Sequence, residues 1–534
     1  MLNGSSFDYI VVGAGSAGCV LAARLSENGR HSVLLLEAGR RDTNVWIHIP
    51  IGYGKTIVDP SVNWKFETEG NPALGGRKVY WPRGKVLGGS SSINGLIYIR
   101  GQAEDFEHWR QLGNDGWSYD DVLPYFRKAE DQENGGDHYH GRGGPLTITN
   151  QRQSHPLCDA FIASAEAQGI PRNDDFNGAS QEGAGYLQAT VKNGRRASAA
   201  TSYLNPAKSR PNLTIVTEAL AEKVLFEGQR ANGVQFRRHG ETMSVKANRE
   251  VVIAAGSIKS PHLLMLSGIG AQADLRAHGV AVKHDLAGVG QNLQDHYGGQ
   301  ITWKCNRPIT MNDVMMNPLR QLQVGLQWML LRRGPLSVPA GQAGLFAKML
   351  PDSASPDLQF LFQTFSGGYY EDGLFKFSGF ANFIYPTRPA SRGEITLRSA
   401  DPHDTPMLFP NYFSDERDRR IAVEGFKLAR RMAASKPMAD FIIQEHLPGS
   451  PTATDAEIEN YLVEQGGCVS HQVGTCKMGT DARAVVNPQL KVHGVSGLRV
   501  VDASIMPTLV SGNTNAATIM IAEKAAAMML EQVA

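Results

Sequence analysis

Two short apolar runs, Tyr9–Val12 and Val33–Leu36, frame the stretch from Phe7 to Gly39, FDYIVVGAGSAGCVLAARLSENGRHSVLLLEAG. The pattern predicts strand, glycine turn, helix and second strand. Residues 102–130 carry the amphipathic texture of helices, with Trp109, Trp117, Tyr125 and Phe126 facing a core. Farther on, the β-branched run Asn212–Thr217 predicts a strand, and 224–226 and 233–237 can follow it as a meander. EVVIAAG, at 250–256, predicts a buried strand ending in glycine; Ser257, Ser260 and Pro261 then open a helix over 262–266, which Ser267-Gly268-Ile269-Gly270 ends.

The second half has a different texture. Residues 305–350 read as helical, with 322–332 strongly apolar. From Leu358 to Tyr385 the chain is rich in aromatic residues, among them Phe360, Phe362, Phe365, Tyr369, Tyr370 and Phe383; partial alternation predicts strands of a second sheet. Residues 414–435 predict a charged amphipathic helix whose arginines form a solvated face. At the end, LRVVD (498–502) is a strand closing on an acid, VSGN (510–513) is a turn, and 515–530 is a helix. This last strand and helix are expected to return the chain beside its first unit.

Between these elements lie polar or small-residue segments. Residues 40–72 read as irregular connection, and Asp131–Gly144, DQENGGDHYHGRGG, as a loop leaving the first unit. His138 and His140 in that loop have no cysteine or third histidine at ligand spacing, so a solvated loop is expected and no metal. The loop Gly88-Gly89-Ser90-Ser91-Ser92 is flanked by Val86-Leu87 and by Ile93, Leu96 and Ile97. Such a loop can aim several N–H and O–H groups at a flat or anionic ligand.

With 534 residues, two or more domains are expected. The 53 basic and 52 acidic side chains nearly cancel, which argues against a nucleic-acid partner. No apolar run reaches membrane-spanning length. Cys19, Cys158, Cys305, Cys468 and Cys476 are odd in number and lack metal spacing, so they read as free thiols of a reducing compartment. The expected location is the cytoplasm, with peripheral contact to the inner face of a membrane left open. Tyr9–Leu25 could imitate a secretory signal, but no basic segment precedes it and Asp8 stands at its edge.

The glycine turn carries the first chemistry. Gly13, Gly15 and Gly18 stand at G-x-G-x-x-G spacing where a helix opens, and Glu37 closes the second strand. The first glycine permits the tight turn, the second the approach of a pyrophosphate, and the third close helix–strand packing. The helix N-terminus offers unpaired N–H groups to phosphates, and Glu37 can accept from ribose hydroxyls. By itself this predicts a dinucleotide, either NAD or FAD.

Taken with GKVLGGSSSINGLIY (84–98), GSIKSPHLLMLSGIG (256–270), HQVGTCKMG (471–479) and VVDASIMPTLVSGNTNAATIMIAEKAA (500–526), the chain resembles the glucose-methanol-choline (GMC) oxidoreductases. The resemblance runs from Phe7 to about Gln532 and looks nearest to the choline-dehydrogenase-like and aliphatic-alcohol-dehydrogenase branch. It implies an α/β and α+β architecture: a Rossmann-like FAD-binding domain interleaved with a substrate domain built on an antiparallel sheet with helices. The implied FAD-binding parts are 1–155, 195–304 and 461–534, and the substrate parts 156–194 and 305–460.

By the same resemblance the cofactor is FAD. Its adenosine half is expected on Gly13, Gly15, Ser16, Gly18, Glu37 and Ala38, with Val224 supplying backbone contacts to adenine. Val86, Gly88, Ser90, Asn94, Gly95, Leu96 and Ile97 are expected at the pyrophosphate and isoalloxazine, and Asp502 and Ala503 at the ribityl and pyrophosphate. Ile93 stands where some relatives carry a histidine that binds FAD covalently, so dissociable FAD is implied.

His471 and Asn513 are the implied catalytic pair. An alcohol proton is too weakly acidic to leave unaided at pH 7, so a base must act as hydride departs. His471 takes that role, and Asn513 donates to the developing alkoxide while also serving as a helix cap. Choline-acting relatives use a carboxylate near a Gly-x-Phe stretch, where Gln342 is placed here; a neutral or hydrophobic primary alcohol is therefore expected over choline. A quinone or other non-oxygen carrier is the implied electron acceptor. The rival readings are an alcohol oxidase making peroxide, a choline dehydrogenase and a flavin-fold lyase. The oligomeric state is not set by the sequence.

Overall fold

The computed structural model describes residues 2–368, 372–449 and 453–531; Tyr369, Tyr370 and Gln532 lie outside them. Five strands run parallel in the order Leu213–Val216, Val33–Leu36, Ser6–Val12, Glu241–Ile253, Leu498–Val500. Both apolar runs of the opening stretch are fully buried. That is what a parallel strand covered on both faces requires, and it is why they read as continuous rather than alternating. The first half of Glu241–Ile253 also forms an antiparallel meander with Arg230–Arg238 and Ala219–Glu227.

Helix Ser16–Leu25 follows the glycine turn and packs on the C-terminal helix Asn515–Glu531. Two polar ties fix the pair: Ser16 Oγ donates to Asn515 Oδ1 at 2.6 Å, and Arg24 forks onto Glu523, which also accepts from the Tyr203 hydroxyl. The end of the chain thus lies beside its beginning.

A second sheet is antiparallel, in the order Ile442–Leu447, Tyr297–Cys305, Gly379–Pro386, Leu358–Gln363, Ala343–Ala347, Gly183–Tyr186. Helix Glu416–Ala434 covers it with the apolar face Ile421, Phe426, Leu428 and Met432. The aromatic stretch supplies two of the strands, and Phe161 stacks on Phe362 at 4.6 Å. Two details differ from the sequence reading. Only Met311–Met315 and Pro318–Leu331 of the 305–350 region are α-helical, because Ala343–Ala347 is paired on both edges and buried throughout. Tyr297–Cys305, ahead of the boundary expected at 304/305, already belongs to the second sheet.

The Asp131–Gly144 loop is not solvated throughout. His140 is buried between Glu130 (Nδ1 to Oε2, 3.1 Å) and Asp175 (Nε2 to Oδ2, 2.9 Å), with Arg100 bonded to the same Glu130. Those carboxylates raise the imidazole to about 9 against the opposing effect of burial. Among the described residues no group of three or more potential metal ligands is found. All five cysteines are buried free thiols.

Candidate active site

Three segments meet where the sheets adjoin, and each is shaped by its backbone. Gly13 turns with φ of +98°, and a Cβ there would stand 2.6 Å from the Ala254 carbonyl oxygen. At Gly18 a Cβ would fall 1.8 Å from the Gly13 carbonyl oxygen, so helix and strand approach as only glycine allows. Gly15 has nothing nearer than 4.0 Å, leaving its backbone face open. The second segment folds onto the first: Gly88 N–H donates to the Ala14 carbonyl at 2.8 Å, and a Cβ on Gly89 would lie 2.6 Å from Gly15 Cα. Buried Arg196 holds this loop through Ser91 O and Asn94 Oδ1, at 3.2 and 2.7 Å.

A single cavity of about 1200 Å³ runs along these segments, larger than the roughly 300–1,000 Å³ of ordinary ligand pockets. Gly13, Gly15, Ser16, Glu37 and Ala38 line one end; Ser90, Asn94, Gly95, Leu96, Ile97, Asp502 and Ala503 line it farther along, and His471 and Asn513 reach it from the C-terminal part. Four of the residues named from sequence are not on its wall. Gly18 acts through packing, as above. Val86 is buried against Ile47, Val62 and Ile93, and Gly88 sits behind Gly89, which lines the cavity in its stead. Val224 N–H is taken by Ser267 Oγ at 2.8 Å. Ala219, Leu220 and Ala221 line the wall instead, where the strand bulges between Ala221 and Lys223.

The acids at the two turns mainly brace backbone. Glu37 accepts from Ala14 N–H and Gly39 N–H, each at 2.8 Å, and burial lifts its carboxyl to about 7 against those bonds. Asp502 accepts from Gly256 N–H, Ser260 Oγ and Ser504 N–H, at 2.8, 2.6 and 2.8 Å. It therefore joins the turn after Glu241–Ile253 to the turn after Leu498–Val500.

His471 arrives just after Gly467–Cys468, a strand paired with Tyr297–Gly298 of the second sheet. Its backbone N–H donates to Asp295 Oδ1 at 2.6 Å. Asp295, fully enclosed, also accepts from the Gln472 amide and the Tyr412 hydroxyl; burial raises it to about 6, and the hydroxyl bond opposes that. The His471 ring touches His296 (Nδ1 to Nδ1, 3.0 Å) and Asn513 (Nε2 to Nδ2, 3.1 Å).

These contacts fix the tautomer. His296 Nε2 stands 2.8 Å from the Thr387 carbonyl, which only accepts, so Nε2 carries the proton. Burial holds His296 down at about 4, so its Nδ1 bears a lone pair. His471 Nδ1 must then be the donor, and its Nε2 is an unprotonated acceptor facing the Asn513 amide. Burial, with the adjacent His296 ring and the Arg83 charge in support, holds His471 well below the ordinary histidine range, so it is neutral at pH 7. His296 and Asp295 were missed in the sequence; their only mark there is the adjacent acid and histidine of GQNLQDH (290–296).

Asn513 Oδ1 is buried and has no hydrogen-bond partner among the described residues. An unmatched acceptor beside a neutral base, a glycine cradle free of Cβ atoms and a cavity of this volume together fit a flavin dinucleotide with a small substrate. Gln342 does not take part: it is buried off the cavity and accepts from the Thr364 hydroxyl. Leu361, Gln363, Phe365 and Phe383 line that region instead.

Two family models described as GMC oxidoreductase match residues 7–298 and 389–522. Human mitochondrial choline dehydrogenase is 44% identical over 536 residues, covering 97% of this chain and 89% of that protein. Alcohol dehydrogenase [acceptor] of Pseudomonas putida is 43% identical over 535 residues, with 99% and 96% covered. Among solved structures, pyridoxine 4-oxidase from Mesorbium loti superposes with a TM-score of 0.89 at 31% identity, covering 98% of this chain and 99% of that one.

Proposed function

The chain belongs to the GMC oxidoreductase family, and on that premise we propose that it oxidises a primary alcohol to the aldehyde, with FAD bound in the long cavity. When bound, FAD supplies at N5 the acceptor for the hydride that leaves the α-carbon. The chain supplies the rest. Gly13, Gly15 and Gly89 let backbone approach the pyrophosphate, Glu37 and Ala221 flank the adenosine end, and Leu96, Ile97 and Ala503 flank the flavin end. His471 Nε2 takes the hydroxyl proton, and Asn513 Nδ2 donates to the oxygen as it gains charge.

The observation that carries this reading is the neutral His471, its Nε2 lone pair fixed toward Asn513 inside the cavity that also holds the glycine turn. A hydrogen-bonded Asn513 Nδ2 marks the position of the alcohol oxygen, which can donate to the one residue and accept from the other. We assign non-covalent FAD to segments 1–155, 195–296 and 461–534, and substrate selection to 156–194 and 297–460.

A neutral alcohol is favoured over choline by the lining of the cavity beyond His471. Among the described residues it carries no carboxylate there, and Phe365 and Phe383 give it an apolar character; Glu371 lies outside the described residues. The choline reading rests on the named relatives. An acceptor such as a quinone is compatible with the name of the Pseudomonas putida relative, alcohol dehydrogenase [acceptor], while oxygen is named for the oxygen-dependent choline dehydrogenase of Vibrio vulnificus and implied by the name of the pyridoxine oxidase.

Anaerobic mixing of the FAD-loaded protein with a panel of alcohols, choline included, tests the reading through loss of the flavin's visible absorbance. Bleaching by a primary alcohol is expected, and its loss in His471→Ala. Failure of every alcohol, together with cyanohydrin cleavage, would establish a lyase. Reoxidation by a quinone analogue rather than air is expected; rapid peroxide formation would make the enzyme an oxidase.

A further inference from the structure

Helix Pro318–Leu331 turns its apolar side outward. Leu319, Leu322, Leu326, Met329 and Leu330 form a helical stripe that is 44–78% exposed, and only Val324 and Trp328 are buried beneath it. Met315 and Met316, nearly half exposed, extend the stripe, and both also line the cavity, as do exposed Trp46 and Leu374. The rim of the cavity and the exposed stripe are therefore one continuous apolar surface. A helix that buries two residues and exposes this many is not held by the hydrophobic effect within the chain alone.

Charge accompanies the stripe. Residues 314–351 contain no acid but hold Arg320, Arg332, Arg333 and Lys348. Arg320 and Arg333 are exposed, while Arg332 lies over the Trp328 ring at 4.2 Å. Apolar residues flanked by arginines on a surface helix match the interface of an anionic bilayer, with leucines among the acyl chains and guanidinium groups at the phosphates. Among the described residues no helix is long and apolar enough to cross a membrane, so this would be contact with one leaflet.

We propose that 315–333 is a docking surface for anionic lipid bilayers, seating the rim of the cavity at the lipid boundary. A second copy of the chain could cover the same leucines. It would also close over Met315, Met316 and Trp46 at the cavity rim and oppose like-charged arginines, whereas a bilayer leaves a path for apolar molecules and neutralises those charges. That such molecules are the alcohol or an apolar acceptor rests on the alcohol-oxidation reading. The docking itself does not.

Flotation of the FAD-loaded protein with vesicles separates the two. Vesicles of phosphatidylcholine with phosphatidylglycerol are expected to carry the wild type upward, and pure phosphatidylcholine to carry less. Leu322→Glu/Leu330→Glu, at positions off the cavity wall, is expected to weaken partitioning at least about 100-fold. Arg320→Gln/Arg333→Gln is expected to weaken it about 30-fold on the anionic vesicles and hardly at all on the neutral ones. FAD content and turnover of a short water-soluble alcohol should be unchanged in both. Absence of flotation in the wild type would overturn the proposal. So would a stable wild-type dimer in light scattering that the double leucine variant turns into monomers.

Discussion

His296 Nδ1 and His471 Nδ1 face each other at 3.0 Å with a single proton between them, and the Thr387 carbonyl decides which ring owns it. The carbonyl claims the only proton of neutral His296, so His471 must donate from Nδ1 and keep Nε2 bare. His296 thus acts on the reaction through another residue. It never reaches the cavity wall.

His296→Leu should therefore lower kcat about 100-fold, because Nδ1 of His471 loses its acceptor and the protonated-Nε2 tautomer becomes available. His296→Asn can accept at Oδ1 and donate at Nδ2, and should recover much of the rate. FAD content measured alongside separates this from misfolding. Equal rates in the Leu and Asn variants would show that His296 only fills space.

His471→Ala should cost about 10²–10⁴-fold in kcat with FAD retained, since it removes the base and leaves the glycine cradle intact. Asn513→Ala should cost about 10²-fold or more, through the lost donor to the developing charge. Single-turnover flavin reduction is the measurement to make, because it isolates the step in which the proton and hydride leave. A loss confined to KM would reassign Asn513 to substrate binding alone.

The first sheet and the glycine turn were legible because each rests on local pattern. Continuous apolar runs mark strands covered on two faces, and much of the glycine turn is set by contacts within about 40 residues, between Gly18 and the Gly13 carbonyl and between Ala14 N–H and Glu37, although Gly13 itself also answers to distant Ala254. What the chain order hid depends on distant partners. The bulge that brings Ala221 rather than Val224 to the wall is set by register with Arg230–Arg238. Ala343–Ala347 is a strand because two others flank it. His140 reads as loop until Asp175 and Glu130 close on it, and the bond between His296 and His471 spans 175 positions.

Gly18→Ala tests the tightest packing in the nucleotide turn. With a Cβ 1.8 Å from the Gly13 carbonyl oxygen, helix Ser16–Leu25 must move off the strand. The expected outcome is protein largely without FAD, or none in soluble form. Gly15→Ala, with 4.0 Å to the nearest atom, should fold and lose affinity for FAD instead.

Gln342→Glu would place a carboxylate where a trimethylammonium partner was expected from the sequence. Gln342 lies off the cavity against Thr364, so the new charge would be buried away from any bound substrate. The variant should be less stable and no better with choline. A rise in kcat/KM for choline would place residue 342 at the substrate after all.

Acid should expose the cost of keeping His296 neutral. Its folded-state value is about 4 against about 6.5 in an unfolded chain, so between those limits the unfolded chain binds a proton that the folded one refuses. Stability from this group is full above pH 6.5, declines as pH falls, and is lost by roughly 3 kcal/mol near pH 4. Glu37 and Asp295, raised to about 7 and about 6, titrate in the opposite sense over the same range: protonation on descending favours the folded state. The total curve is accordingly flatter than the contribution of His296 alone. Comparing wild type with His296→Asn cancels the two acids. The urea midpoint of the FAD-loaded wild type should fall relative to the variant as pH goes from 7 to 4, and a difference that stays constant with pH would mean that His296 is charged in the folded protein.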